Sequence, residues 1–480
     1  MADNNASAPA EERWLPARLI PTGGIKGQQE QESRATSVLL AVLKAVPEFA
    51  NALLKPLGAP KGQLRTYVEV PLKDADGKVH RPDGAIVIER GKTRWACLVE
   101  VKTGDSELTT EQVTRYVDMA KRHGFNAVVT ISSTITASVD ELPYAVHGAK
   151  LRSTAVKHLS WWRVITEAVM QERHRGVADP DQQWILSELI AYLQHPASGA
   201  AGFRDMGAKW TTARDAAHQG TLRPADPAAK ELCVQFDRLS DSLTLSLAQE
   251  LGVGVRVVRP RKATADERLA AALARLVDAG CLEAAIRIDD TAGDLALCAD
   301  LRTRRVAARS AIPAPEEAKP LTRIKWLIRQ LDDAPADLRI EVAFRGAAET
   351  TSELLSVART EPERLLSPTD PKREPKSFVL ELTRPMGAKR GRGKGSFVTE
   401  TERLVNEFYG VVLQHLTEWR PKAPKLREPE PVAAPTPDAA ADPEKVWAAI
   451  DEDTALSDLE KYRLKIKHMD EQERAGAGAA

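Results

Sequence analysis

The sequence has no surplus charge of either sign. Its 68 Lys and Arg residues balance 68 Asp and Glu residues, so net charge does not draw it to nucleic acid and any basic surface is local. Long apolar runs are also missing. No stretch approaches the roughly 18 residues that a membrane span needs, and residues 1–25 lack the apolar core of a signal peptide, so neither a membrane nor an export route is expected and the expected location is cytoplasmic. Cysteine is scarce. Cys97, Cys233, Cys281 and Cys298 stand isolated in apolar or strand-like surroundings, which reads as buried free thiols in a reducing compartment. No Cys/His cluster has zinc spacing, no G-x-S-x-G elbow occurs, and no Rossmann glycine fingerprint is present. A Walker A loop is missing too: Gly393-Lys394 has Ala388 where that loop needs glycine, and glycine follows the lysine.

What remains is a chain of 480 residues, longer than one hydrophobic core usually supports, with 28% charged and 43% hydrophobic residues. Composition shifts divide it into a polar tail over 1–25, a first domain over 26–196, a Gly/Ala/Pro-containing linker over 197–228, a second domain over 229–420, a Pro/Ala-rich linker over 421–443, and a charged helical tail over 444–480.

Within the first domain, Ala35, Leu39, Val42, Leu43 and Val46 recur at helical spacing until Pro47 limits the run. Strands are expected over 64–72, 85–88 and 95–101, separated by the turn residues Asp74 to Gly77 and by Arg90-Gly91-Lys92. Thr109 or Thr110 caps a helix bearing Val113, Tyr116, Val117 and Ala120, which Gly124 ends, and a short apolar strand covers 127–131. The order is αβββαβ. A further strand near 156–159 leads into helices carrying Trp161, Trp162 and Trp184, rings expected to close one side of the core.

The second domain should alternate helices near 229–251, 265–279, 321–332, 350–358 and 398–418 with strands near 282–289, 294–300, 304–309, 338–344 and 377–383. That pattern fits an α+β or α/β unit without fixing its topology. The helix expected over 444–471 is either a tethered protein-binding element or a solvated tail.

Chemistry concentrates in the first domain. Asp83 stands in Arg81-Pro82-Asp83-Gly84 at the start of one strand, and Glu100 and Lys102 alternate with Val99 and Val101 on the next. Antiparallel pairing would set Asp83 beside Glu100, and two carboxylates so close repel unless a cation lies between them. Hard divalent ions favour such oxygen ligands.

Pro82-Asp83, a 16-residue gap and Glu100-Val101-Lys102 resemble the signature of the PD-(D/E)XK nucleases, whose core has the same αβββαβ order. Gln112 and Tyr116, at i and i+4 on one helical face, resemble the Q-x-x-x-Y motif of RecB-like members. The resemblance implies a restriction-endonuclease-like mixed sheet flanked by helices, with Mg²⁺ or Mn²⁺ held by Asp83, Glu100 and the Val101 carbonyl. It also implies a glutamate on the first helix. Glu32, in phase with Leu39, Leu43 and Val46, fills that place, with Glu30 as the alternative. Lys102 would orient the attacking water and offset charge in the transition state. Gln112 and Tyr116 would contact nucleic acid or order the carboxylates. The expected activity is metal-dependent phosphodiester hydrolysis, in DNA first, serving restriction, repair or defence against foreign DNA. A non-catalytic binding or scaffold protein that keeps the fold is the alternative.

Lys389, Arg390, Arg392 and Lys394 lie in the glycine-rich run from Gly387 to Gly395, which is read either as a phosphate-gripping loop or as a solvated one. Further cations, Arg256, Arg259, Arg261, Lys262, Arg323, Lys325 and Arg329, make the second domain a candidate nucleic-acid clamp.

Overall fold

A computed structural model describes residues 15–16, 19, 28–104, 106–146, 154–200, 202–316, 318–420, 443–453 and 456–477. Most of the expected tail over 1–25 and of the linker over 421–443 lies outside the described residues. The part up to 419 is one compact unit, and the part from 420 onward is another.

Leu15–Pro16 form a short edge strand, β1. The apolar stripe read from the sequence makes α1 (Gln28–Ala45), which buries Ala35, Leu39, Val42 and Leu43. Pro47 does stop that helix, yet it also opens a second one, α2 (Pro47–Leu54), because proline suits a first helical turn whose N–H groups have no partner. Then come β2 (Gln63–Val68), the small hairpin β3 (Leu72–Lys73) and β4 (Val79–His80), β5 (Gly84–Arg90) and β6 (Thr93–Val101). The strand expected to reach 72 stops at Val68, since Glu69 takes a positive φ of 50° and turns the chain. Thr109 caps α3 (Thr110–Arg122), accepting a bond from Gln112 N. β7 (Ala127–Ser132) and β8 (Ala155–Ser160) follow.

These strands form a mixed sheet in the order β1-β2-β5-β6-β7-β8. Pairing is antiparallel from β2 to β6 and parallel from β6 to β8. A parallel neighbour needs a crossover, and α3 supplies the one between β6 and β7. The αβββαβ order is therefore present, with α2 and the small hairpin inserted. Leu39, Leu43, Val99, Val101 and Trp161 pack on one face, and Val113, Val117, Leu98 and Val128 on the other. β6 lies buried between them.

Next are α4 (Trp161–Met170), α5 (Pro180–Gln194), α6 (Trp210–His218), α7 (Pro227–Leu251), β9 (Val255–Val257) and α8 (Ala265–Ala279). Trp161 is fully buried, but Trp184, expected to pack like it, is 61% exposed. The stretch 197–228 is more than a linker. It carries α6, and Phe203, Met206 and Trp210 enter the core of the second sheet, Trp210 lying 4.7 Å from Phe397 between ring centroids.

That sheet contains β9, β10 (Cys281–Ile288), β11 (Leu295–Asp300), β12 (Arg305–Pro313), β13 (Arg339–Phe344), β14 (Thr350–Leu354) and β15 (Pro375–Pro385). Its order is β14-β13-β15-β12-β11-β10-β9, and each pairing is antiparallel. α9 (Pro320–Ile328), α10 (Leu355–Thr360) and α11 (Phe397–Val411) complete this part. The helix expected over 350–358 is instead β14 followed by α10, because Thr350, Thr351 and Ser352 pair with β13. Cys97 and Cys233 are buried, whereas Cys281 and Cys298 are half-buried diagonal neighbours on β10 and β11.

Among the described residues no single helix is long and apolar enough to cross a membrane; the bent pair α1–α2 has the composition but spends its apolar residues on the core. In the second unit, the single helix expected over 444–471 is two, α12 (Pro443–Glu452) and α13 (Asp458–Ala477), tied by Lys465 Nζ to Asp451 Oδ2 at 2.5 Å.

Candidate active site

Register brings the first two carboxylates together. Gly84 pairs with Val99, so Asp83 falls opposite Glu100 at the next step, and Asp83 Oδ2 accepts from Val101 N at 2.7 Å. Glu100 is 2% exposed. Its Oε1 accepts from Lys102 Nζ at 3.0 Å and from Gln112 Nε2, while its Oε2 is buried without a hydrogen-bond partner among the described residues. Gln112, from α3, thus holds the Glu100 carboxylate in place.

Glu32 arrives from α1. Gly84 makes this approach possible: a Cβ there would meet Leu40 Cδ1 at 2.6 Å and Tyr67 O at 3.0 Å. Glu32 Oε2 lies 3.2 Å from Lys102 Nζ, whereas Glu30 pairs with Arg34 and is not part of the cluster. Lys102 Nζ also lies 3.1 Å from the Val101 carbonyl. Three of the four expected metal donors, Glu32, Glu100 and Val101 O, therefore converge on the lysine ammonium.

The electrostatics follow from enclosure. Burial, reinforced by Asp83, pushes the Glu100 carboxyl up to about 8, and burial raises Asp83 to about 6 against the bond from Val101 N. Burial works against the Lys102 charge, but Glu100, Asp83 and Glu32 together outweigh it and hold its pKa above the ordinary value. Burial and then Glu100 keep the Tyr116 phenol protonated.

Among the described residues no group of three His, Cys, Asp or Glu side chains is arranged to hold a metal ion. The Lys102 ammonium instead lies 3.2 Å from Glu32 and 3.0 Å from Glu100. The donors still suit a hard divalent cation, being all oxygen and including the unpartnered Glu100 Oε2. Lys102 Nζ reaches Glu32, Glu100 Oε1 and Val101 O among them, but not Glu100 Oε2.

Two supports were not foreseen. Trp161 Nε1 donates to Lys102 O at 2.9 Å and Lys102 N donates to Ile131 O at 2.8 Å, so the lysine backbone is held on both sides. Trp161 gave only a packing signal in the sequence. Beside Glu100 on the neighbouring strands lie Thr130 and then His158, in register. Burial lowers His158 to about 4, so the ring is neutral, with Nε2 donating to Thr134 O at 2.9 Å and Nδ1 accepting from Thr130 Oγ1 at 2.9 Å. The Tyr144 hydroxyl, 2.6 Å from Thr130 Oγ1, ends this chain.

The other expected nucleic-acid contacts lie elsewhere. Lys389, Arg390, Arg392 and Lys394 are exposed, but Arg392 makes two bonds to Glu402, at 2.7 and 3.0 Å. The clamp expected in the second domain loses its leading cations. Arg259 is bound by Asp241 and Asp237, Arg256 by Asp289, and the buried Arg323 by the carbonyls of Ala318, Pro375 and Glu316. His80 pairs with Asp74, and His123 caps α3 and reaches Lys73 O. No family model, curated protein or solved structure matches the chain, so the functional reading stands on the chemistry of Asp83, Glu100, Lys102 and Glu32.

Proposed function

We propose that the chain is a divalent-metal-dependent nuclease of the PD-(D/E)XK type, RecB-like in its Gln112 and Tyr116, that hydrolyses phosphodiesters in DNA. One observation carries the reading: Lys102 Nζ is gripped by Glu32, Glu100 and the Val101 carbonyl, with Asp83 on the adjoining strand. Burying so many acidic oxygens costs stability unless a cation compensates. Asp83, Glu100 and Val101 O would hold Mg²⁺ or Mn²⁺, with Glu32 joining once Lys102 swings aside. The ion supplies Lewis acidity and a more acidic water. Lys102, released from Glu32, orients water and offsets charge developing on the phosphate. Gln112 and Tyr116 keep Glu100 aimed. Restriction, repair and defence against foreign DNA all use this chemistry.

The same grip favours a second reading, a scaffold whose lysine permanently neutralises a dead site. Incubation with linear, circular and single-stranded DNA and with RNA, each with Mg²⁺, Mn²⁺ or EDTA, separates the two. The nuclease reading expects metal-dependent cleavage that Lys102→Ala abolishes with the fold intact, and Mn²⁺ binding that Asp83→Ala loses. Cleavage unchanged in Lys102→Ala sinks the site assignment. No cleavage and no Mn²⁺ binding leave the scaffold.

A further inference from the structure

The segment running from 197 to 206 joins two features that are remote in sequence. At its start, Gln31 Nε2, next to Glu32, donates to Ala197 O at 3.0 Å, and Gly199 O accepts from Gly104 N at 2.8 Å. Gly199 has φ +71°, and a Cβ there would meet Gly104 N and Thr103 Cβ, each at 2.9 Å. The strap therefore lies directly on the chain leaving Lys102. At its far end, Phe203 O accepts from Arg392 Nε at 2.9 Å, and Met206 N donates to Arg390 O at 3.0 Å. Trp210 Nε1, just beyond, donates to Ala388 O at 2.9 Å. The glycine-rich basic loop is thus built onto the same strap as the catalytic lysine's neighbours.

Within the loop the cations divide by role. Arg392 anchors it, bound to Phe203 O and Glu402. Lys389, Arg390 and Lys394 are exposed; Asp205 lies 3.8 Å from Arg390, and Glu400 Oε1 accepts from Gly395 N, next to Lys394, at 3.3 Å. Their distance from the site is bounded by covalent reach. Lys102 and Gly104 are two steps apart along the chain and Gly199 and Phe203 are four, so at roughly 3.5 Å per step, with the two connecting hydrogen bonds and the Arg392 side chain added, the loop's anchor at Arg392 lies within roughly 35 Å of Lys102. Backbone phosphates advance about 3.4 Å per nucleotide, which places that anchor within about ten nucleotides of the bond cut.

We propose that Lys389, Arg390 and Lys394 form a second phosphate contact for the strand cut at Asp83 and Glu100, so that tight binding requires a substrate long enough to reach both. This rests on the nuclease reading. The test compares the wild-type chain with the triple variant Lys389→Ala/Arg390→Ala/Lys394→Ala in EDTA, titrating a labelled duplex of about 30 base pairs and an oligonucleotide of about five, at several salt concentrations. The triple variant should bind the long duplex at least about tenfold more weakly, with the slope of log K against log salt reduced by about two to three. The short oligonucleotide should bind both proteins alike. An unchanged Tm shows that the variant is folded, and Arg392→Ala, which frees the loop, should repeat the loss in milder form. Equal affinity and slope on the long duplex overturn the proposal, as does an equal loss on the short one. If the wild-type chain cuts DNA and the variant binds like it, only the loop assignment fails. If the wild-type chain neither binds nor cuts, the nuclease reading fails and the loop assignment with it. Tight binding of an acidic peptide instead of DNA would reassign the loop to a protein partner.

Discussion

Lys102 Nζ lies 3.2 Å from Glu32 Oε2, an ion pair between the end of β6 and a helix 70 residues earlier in the chain. The contact joins α1 to the sheet beside Asp83 and Glu100, so the lysine contributes to stability as well as to the proposed chemistry. Removing it should expose the difference. Lys102→Met leaves Glu32, Glu100 and Asp83 without their shared cation, and breaking a buried pair from one side costs about 3 kcal/mol. Thermal melting in EDTA should show that loss, and Mn²⁺ should restore most of the Tm while activity stays absent. A Tm that falls equally with and without Mn²⁺ would argue against a metal at these carboxylates.

The carboxylate pair sets a pH dependence. Burial holds Glu100 near 8 and Asp83 near 6 in the folded chain, above their ordinary values, so the fold keeps protons that the unfolded chain gives up. The stability linked to these protons is complete below the unfolded carboxylate pKa of about 4 and is lost as pH rises through the folded values. In EDTA, Glu100→Gln should therefore gain Tm over the wild-type chain progressively from about pH 5 to pH 8. A gap that stays constant across that range means the folded carboxyl titrates normally.

How far the sequence revealed these features depended on the range of the interactions. Val99, Val101, Val113 and Val117 announce β6 and α3 because alternation and helical spacing are local, and the sheet buries those residues where expected. The stretch 197–228 looked like a linker because Gly, Ala and Pro signal turns, whereas its burial comes from contacts such as Trp210 with Phe397. The cations failed for the same reason. Nothing near Arg392 or Arg259 in sequence names Glu402 or Asp241 as partners, and a paired arginine looks the same in sequence as a free one. Likewise, the composition of the site was legible, but the choice of Lys102 over an open three-carboxylate arrangement was not.

Trp161 should matter beyond its bulk. Trp161→Phe keeps most of the packing but removes the bond from Nε1 to Lys102 O, leaving a carbonyl short of a donor at a cost of about 1 kcal/mol. Because that bond holds the lysine backbone, turnover should fall at least tenfold while DNA affinity in EDTA stays near wild type. A variant with full turnover would reduce Trp161 to a core residue.

Gly84 offers the sharpest geometric test, since it sits beside Asp83 yet takes no part in the chemistry. A methyl group there meets Leu40 Cδ1 at 2.6 Å and Tyr67 O at 3.0 Å, so one of those neighbours has to move. The Tyr67 carbonyl belongs to β2, held to β5 by ladder bonds, which leaves Leu40 and α1 as the parts that yield. Overpacking of this kind costs about 1 to 3 kcal/mol. Any outward shift of α1 carries Glu32 away from Lys102, so Gly84→Ala should lose activity more steeply than stability. Trimming the obstacle in Gly84→Ala/Leu40→Ala opens room for the methyl group and should return part of the activity even though Leu40→Ala alone destabilises the core. If the double variant is no more active than Gly84→Ala, the strand rather than the helix has moved, and the placement of Glu32 does not depend on this contact.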